Sequence, residues 1–336
     1  MENPKGLKWF FLLAIKLSIS GSLLFYILQI TPLSRIFETL GRATPSYVLF
    51  SLALFCLERF IMAFQLRRIF NNLEMGLSTA QVFQINFITS FYELFMPGSV
   101  ITGIIRWYKL SQLSRMKIPT LVGIGINRLV HLVVTIHIGA VCWMIEAKPQ
   151  ATVLMGILIF FLLVAFLIVY SLFMNDRHFG FVSNRVERAT LLFLPGILQN
   201  PILKLINGVN KFHGVPFKAK MEVFALQSGA SLLSILGWFL LAQALLLPVN
   251  PFTLAWIRSL IIMLVLVPIH IAGLGIREGS LMVLLPLYGV TLDEALALSF
   301  LLFFIKICWG MVGGLLEGWN LLILGEKRVT AKQLAQ

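Results

Sequence analysis

Two apolar stretches of this chain are interrupted in the same way. Residues 97–106 read Pro-Gly-Ser-Val-Ile-Thr-Gly-Ile-Ile-Arg, and residues 268–277 read Pro-Ile-His-Ile-Ala-Gly-Leu-Gly-Ile-Arg. Each holds a proline, a glycine-containing break, and an arginine nine positions after the proline (Arg106 and Arg277). Backbone that is not helical at membrane depth is tolerated only where it is buried in protein or lines a wet cavity. Broken apolar segments at corresponding places in two halves mark a transporter built from an internal repeat, with its site at the breaks. Two proline kinks in ordinary membrane helices are the alternative.

The setting of these breaks is a membrane. The chain is 59% hydrophobic, only 12% charged, and has a mean hydropathy of +0.91. No soluble globular domain needs that much apolar surface, and runs of roughly 20 apolar residues recur along the whole length. The first run, from Trp9, has no small-residue cleavage site and reads as a retained helix rather than a signal peptide. Cys56, Cys142 and Cys308 all sit inside apolar runs, which gives no disulfide framework and no metal spacing and makes them core cysteines. The net charge of +13 would suggest nucleic acid in a soluble protein. Here the basic residues cluster in short loops beside spans, the positive-inside pattern, and no nucleic-acid motif competes with it.

Spans are expected at about 9–30, 47–66, 119–144, 151–174, 222–247 and 295–324, with interrupted segments at 79–105 and 253–289. Residues 175–221 carry Arg177, Arg185, Arg188, Lys204, Lys211, Lys218 and Lys220 with interleaved apolar residues. That fits amphipathic pieces on an anionic membrane surface, a solvated loop being the alternative. With the N-terminus in the cytoplasm, the loop at Arg67-Arg68, the loop 106–117, the 175–221 connection and the basic tail are all cytoplasmic. Each half then reads span, span, re-entrant pair, span. Three crossings is an odd number, so the second half is inverted. The expected fold is an all-α polytopic membrane protein, an inverted repeat of transmembrane helices with two re-entrant or broken helix pairs. Repeat 1 covers about 1–145 and repeat 2 about 151–325. Gly310, Gly314 and Gly318, at four-residue spacing, would let another helix come close.

Lys16, Glu58, Arg59, Glu93, Arg128, Arg258, Arg277, Glu278, Lys306 and Glu317 fall within or at the edges of apolar runs. A charge at mid-bilayer costs a few kcal/mol even on lenient scales, so these residues need partners or a function. Glu58 and Arg59 are adjacent and point about 100° apart on a helix, so each is expected to pair with other spans. Arg277 and Glu278 open the helix after the second break, where free N–H groups face outward, and Arg106 holds the equivalent place after the first. The functional reading is a basic cavity for a phosphate-bearing head group, with carboxylates as counter-ions or proton carriers. Its candidate substrate-binding residues are Arg106, Arg128, Arg277, Glu278, Glu58, Arg59 and His270, the last lying inside the second break. Lys16, Arg258 and Glu317 read instead as structural pairs or snorkelling ends. His131 and His137 are six apart, not the spacing of one-face metal ligands, and read as satisfied core histidines. No Gly-x-Ser-x-Gly, Walker or His-Glu-x-x-His motif is present, so no catalytic residue, cofactor or metal is expected.

The run from Val267 to Glu278, followed by Tyr288-Gly289-Val290 and Ala295-Leu296-Ala297-Leu298-Ser299, resembles the lysylphosphatidylglycerol synthase transmembrane family. This is the flippase-like domain of the bacterial multiple peptide resistance factors, also found as stand-alone proteins. Pro97–Arg106 and Asn127-Arg128 resemble that family's other motif region, and the likeness covers nearly all of 8–325. Two places depart from the family pattern. Thr102-Gly103-Ile104-Ile105 stands where a Gly-Gly-acid run is usual, and Asn127 stands where an acid is expected. The resemblance implies an inverted-repeat helical fold and translocation of a polar-head-group lipid between leaflets. The expected function is thus a non-enzymatic, flippase-like transporter of a phospholipid or polyprenyl-linked lipid in the bacterial inner membrane, both termini cytoplasmic. The large cytosolic aminoacyl-transferase domain of full-length relatives has no counterpart in these residues, so lipid aminoacylation by this chain alone is not expected. Alternatives are a lipid-binding accessory or scaffold for a separate glycosyl- or aminoacyl-transferase, and an intramembrane enzyme with Glu58 or Glu93 as base. Membrane lipids are the expected substrate, with a separate lipid-modifying transferase and a homodimer partner left open, and no nucleic acid.

Overall fold

Inside lipid each backbone N–H and C=O must be bonded within its own segment, so the apolar runs have only the helix available. The structure, a computed structural model, describes residues 33–95, 99–146, 196–265 and 275–333, with a few short pieces between 180 and 191. Its regular elements are all helical. They are α1 (Leu33–Gly41), α2 (Pro45–Asn72), α3 (Thr79–Phe95), α4 (Ser99–Ser114), α5 (Lys117–Glu146), α6 (Gly196–His213), α7 (Phe217–Ala244), α8 (Pro251–Val265), α9 (Ile276–Leu284), a 3-10 turn (Leu285–Tyr288) and α10 (Leu292–Gln333). Among the described residues, α2, α5, α7 and the Leu292–Leu322 part of α10 are long and apolar enough to cross a membrane. The spans expected at 9–30 and 151–174, Pro97-Gly98 and most of the second break, with His270, lie outside the described residues.

Residues 79–105 do not form one straight helix. α3 has 17 residues and α4 has 16, roughly 25 Å each at 1.5 Å per residue, short of a ~30 Å hydrocarbon core. The start of α3 (Val82, Ile85), the end of α4 (Leu110) and the start of α5 (Val122, Ile126) share one apolar core with the end of α2 (Leu66, Ile69, Phe70). The α3–α4 hairpin therefore leaves and returns at the same end of the bundle. The second half repeats this. The end of α7 (Leu241, Leu245), the start of α8 (Leu254, Ile257), Leu281 of α9 and the start of α10 (Ala295, Leu298) build the other core.

The two cores lie at opposite ends because α2 and α7 run antiparallel. Ser51 Oγ donates to the Gly237 carbonyl at 2.9 Å, and Gln65 Nε2 donates to the Val223 carbonyl at 3.1 Å. Ser51 and Val223 are 172 positions apart, and so are Gln65 and Gly237. The two bonds thus exchange under one shift along the chain, and α2 and α7 each have 28 residues. The same exchange relates two further antiparallel pairs, α3 on α10 and α8 on α5. A Cβ on Gly313 would overlap the Phe87 backbone, and one on Gly139 would overlap the Ser259 side chain. Phe87 and Ser259 are again 172 apart. Short helix α1 rests on α10 as α6 rests on α5.

Two sequence expectations shift in register. The close approach of α10 to α3 uses Gly310, Gly313 and Gly314, while Gly318 has open space beside it. The reason is that at about 100° per residue 313 and 314 fall on either side of 310, while 318 has drifted about 80° from it and off the stripe. Cys56 is exposed rather than core, because α2 turns part of its perimeter outward, whereas Cys142 and Cys308 are half-buried.

Candidate functional site

Glu58 and Arg59 stand at the midpoint of α2, where an isolated charge is most costly. They turn to different partners, as their angular separation requires. Arg59 Nη1 donates to Ser90 Oγ of α3 at 2.8 Å, and the guanidinium lies over the rings of Phe87 and Trp309 at 5.8 and 5.6 Å. Such ring contacts give a charge a favourable apolar neighbour without desolvated oxygen. Glu58 sits in the field of Arg258 of α8. Arg258, 5% exposed, donates through Nε to Ser234 of α7 at 3.1 Å. Ser234 therefore ties α7 to α8 at mid-membrane.

Beside these residues lies a cavity of about 210 Å³. α2 contributes Glu58, Arg59 and Met62 to its wall, and α3 contributes Asn86, Ser90 and Glu93. Arg106 of α4 and Asn127 of α5 close it. The wall is thus assembled from the hairpin that flanks the first break and from the two spans beside it. Glu93, 43% exposed, pairs with Lys306 of α10 at 2.9 Å. Arg106 lies in the field of Glu93, Arg59 and Arg128. Three buried polar atoms of these lining residues have no partner: Arg106 Nε, Asn86 Oδ1 and Asn127 Oδ1. Unsatisfied buried polar groups each cost about 1–3 kcal/mol, so their collection on one wall is a feature to be explained.

Arg277 and Glu278 are not in this wall. Arg277 donates to Glu278 Oε1 at 2.5 Å and through Nε to Ser299 Oγ at 2.8 Å, and its guanidinium lies 5.6 Å from the Phe303 ring. Glu278, 2% exposed, also accepts from Ser299 Oγ at 2.9 Å and from the Gly275 N–H at 2.7 Å. This second cluster is closed on itself, and its Ser299 stands about two helical turns along α10 from Lys306. The backbone N–H that the helix start offers is spent on Glu278 itself in a capping box. Arg128 neighbours Arg106 electrostatically without lining the cavity.

Other charges have structural partners. Glu317 holds Lys109 Nζ at 2.7 Å and accepts from Tyr92 Oη at 2.8 Å, which locks α3, α4 and α10 together. His131 Nδ1 meets Gln227 Nε2 at 2.9 Å, a bridge from α5 to α7. His137 Nδ1 lies 2.6 Å from the Val133 carbonyl one turn earlier. The sequence reading did not place Asn86, Ser90, Glu93 or Asn127 in the site. Glu93 carried a signal, as a charge in an apolar run. Asn86 and Ser90 carried none beyond the polarity of 79–105.

These features define the class: a multi-pass, all-helical membrane protein with a polar cavity built at the middle of its bundle. Residues 13–314 match the family model for the lysylphosphatidylglycerol synthase TM region, and the chain belongs to that family. No curated protein and no solved structure matches the chain. Membership in a family of lipid-synthase membrane domains supports a membrane lipid-related function.

Proposed function

We propose that this chain is a flippase-like, non-enzymatic transporter that moves a polar or anionic head-group lipid between leaflets of the bacterial inner membrane. The carrying observation is the mid-membrane cavity in which Arg106 Nε and two asparagine oxygens remain unpartnered. A lipid crossing the bilayer must exchange its hydration for protein groups at that depth, and a wall carrying Arg59, Arg106, Asn86, Ser90 and Asn127 supplies them. The exchange of packing partners between halves supports an inverted repeat. Corresponding helices α2 and α7 run antiparallel, as a two-fold axis in the membrane plane requires. Such a scaffold can open its cavity alternately to either side by rocking one half on the other. With the basic connection 175–221 facing inward, both termini are cytoplasmic.

Reconstitution tests the reading. Purified protein in liposomes carrying a fluorescent phospholipid is expected to expose inner-leaflet label to a membrane-impermeant quencher. Leaflet exchange no faster than in protein-free vesicles, with lipid modified only when a separate transferase is added, would replace transport with a scaffold role. For topology, a cysteine introduced at Asn200 in a cysteine-free background is expected to react only from the cytoplasmic side.

A further inference from the structure

Glu58, Glu93, Glu278 and Glu317 are carboxylates within the bundle, and three of them are paired. Glu93 holds Lys306, Glu278 holds Arg277 and Glu317 holds Lys109. Glu58 forms no ion pair with any described residue, yet it stands at the midpoint of α2 on the wall of the cavity. A lone carboxylate at that depth is expensive to keep charged, and its presence points to a use. The nearest cations act across a gap, Arg59 being turned to Ser90 and Arg258 to Ser234. Of the helices packed on α2, α3 brings Glu93, already held by Lys306, and α5 brings Arg128 and His131, whose Nδ1 meets Gln227. The charges of α7, Lys218, Lys220 and Glu222, are confined to its start. Arg106 of α4 completes the charged part of the wall. Glu58 is thus the lining acid that can gain or lose a proton without breaking an ion pair.

Its place between the halves is also particular. Met62 and Asn86, on the same wall, correspond by the shift of 172 positions to Ser234 and Arg258, which lie beside Glu58 in the other half. In a bundle whose halves exchange access, a group at that junction is reached from each side in turn. The cavity, about 210 Å³, keeps any anion it holds within a few ångströms of the carboxylate. Two negative charges sharing one low-dielectric site disfavour each other, and the one that can be neutralised takes up a proton. By linkage, proton and anion then strengthen each other's binding.

Resting on the transport reading above, we infer that a proton gradient drives this chain through Glu58. Its carboxylate takes a proton from water as an anionic head group enters the cavity and returns it to water as the head group leaves. One proton moves with one anion in the same direction, which is electroneutral for a singly charged head group. A gradient that is acid outside therefore drives the lipid towards the inner leaflet, and a membrane potential alone drives nothing.

The test uses the full purified chain and phosphatidylmethanol, a lipid whose single phosphodiester has no second proton to titrate. In liposomes carrying this lipid with an acyl-chain label, an outside-acid gradient of about one pH unit is expected to enrich the label about tenfold in the inner leaflet, the ratio that one coupled proton sets. In weakly buffered detergent, a pH indicator is expected to report proton uptake as the lipid binds. Glu58→Gln is expected to abolish both the enrichment and the uptake. It is also expected to bind the lipid more tightly than the unmodified chain at alkaline pH, because a competing negative charge is gone, and a misfolded variant cannot produce that gain. Glu58→Asp is expected to keep the proton uptake. Leaflet exchange without enrichment, enrichment in the outer leaflet, or proton uptake that persists in Glu58→Gln would overturn the inference and leave lipid transport standing. Weaker alkaline binding by Glu58→Gln would do the same. Absence of leaflet exchange at every pH would remove both.

Discussion

The two halves of the molecule share a packing scheme and fill its centre differently. At the middle of α2 stand Glu58 and Arg59. One shift of 172 positions along, the middle of α7 has Ala230 and Ser231. Glu93 near the end of α3 corresponds to Val265 at the end of α8, and Asn127 of α5 to Ser299 of α10. The arginines after the breaks, Arg106 and Arg277, have unlike neighbours, Trp107 in one half and Glu278 in the other. Arg277 is consumed by Glu278 and Ser299, while Arg106 keeps an unpartnered Nε on a cavity wall. The lesson is that helix packing constrains the small residues and backbone bonds at the contacts and leaves the chemistry of the centre free. One half can carry the cavity while the other closes its charges on one another, as Arg277 does with Glu278 and Ser299.

The largest expected effects separate the two arginines. Arg277→Ala strands a Glu278 carboxylate that is 2% exposed. Breaking such a pair costs about 3–5 kcal/mol, seen as a large fall in melting temperature in detergent, and a companion Glu278→Gln is expected to recover much of it. Arg106→Ala removes an unpaired donor from a cavity, so the melting temperature should hold while lipid exchange falls at least about tenfold, the effect of ~1.4 kcal/mol. If Arg106→Ala unfolds the protein and Arg277→Ala only slows exchange, the contrast between the halves is reversed and the site assignment fails.

A middle-sized effect probes the shared packing. Gly313→Ala presses on the Phe87 backbone, which cannot yield, and overpacking of this kind costs about 1–3 kcal/mol. Gly139→Ala meets the Ser259 side chain and should cost less, since a rotamer can give. Gly318→Ala, with open space around it, is expected to lie within about 0.5 kcal/mol of the unmodified chain. Thermal unfolding of the three variants checks the order, and a neutral Gly313→Ala would mean that α3 does not approach α10 as described.

The smallest effect concerns the α2–α7 seam. Ser51→Ala deletes one hydrogen bond to a carbonyl, worth about 0.5–1.5 kcal/mol. Gln65→Leu deletes its counterpart and also a side-chain oxygen that has no partner, so its cost should be the lower of the two. Equal large losses at both positions would show that the seam depends on more than these bonds.

Much of this was readable from residue order. Proline and glycine at 97–98 foretold a split in the segment that became α3 and α4, because neither sustains a helix through lipid. The adjacency of Glu58 and Arg59 foretold divergent partners, since 100° of helix turn separates them. The glycines of α10 foretold a close approach, but the stripe differed by one position because which of several glycines faces a neighbour depends on that neighbour's crossing. The arginine after the second break looked equivalent to the one after the first. Only the placement of Ser299, 22 residues on, shows that it is closed.

The sequence by itself determined the solvent and the element type. Hydropathy and helix-breaking are sums over neighbouring residues, and a membrane leaves the backbone one way to bond itself. It also carried the family, through motifs that are local strings. Tertiary structure alone decided what each charge meets: Glu93 with Lys306 across 213 positions, Arg59 with Ser90, and Arg258 with Ser234. It alone brought Asn86, Asn127 and Arg106 together around one space. Such pairings turn on a few ångströms of helix register and on the angle at which one helix crosses another, and those are fixed by contacts between residues far apart in the chain, which no local pattern records.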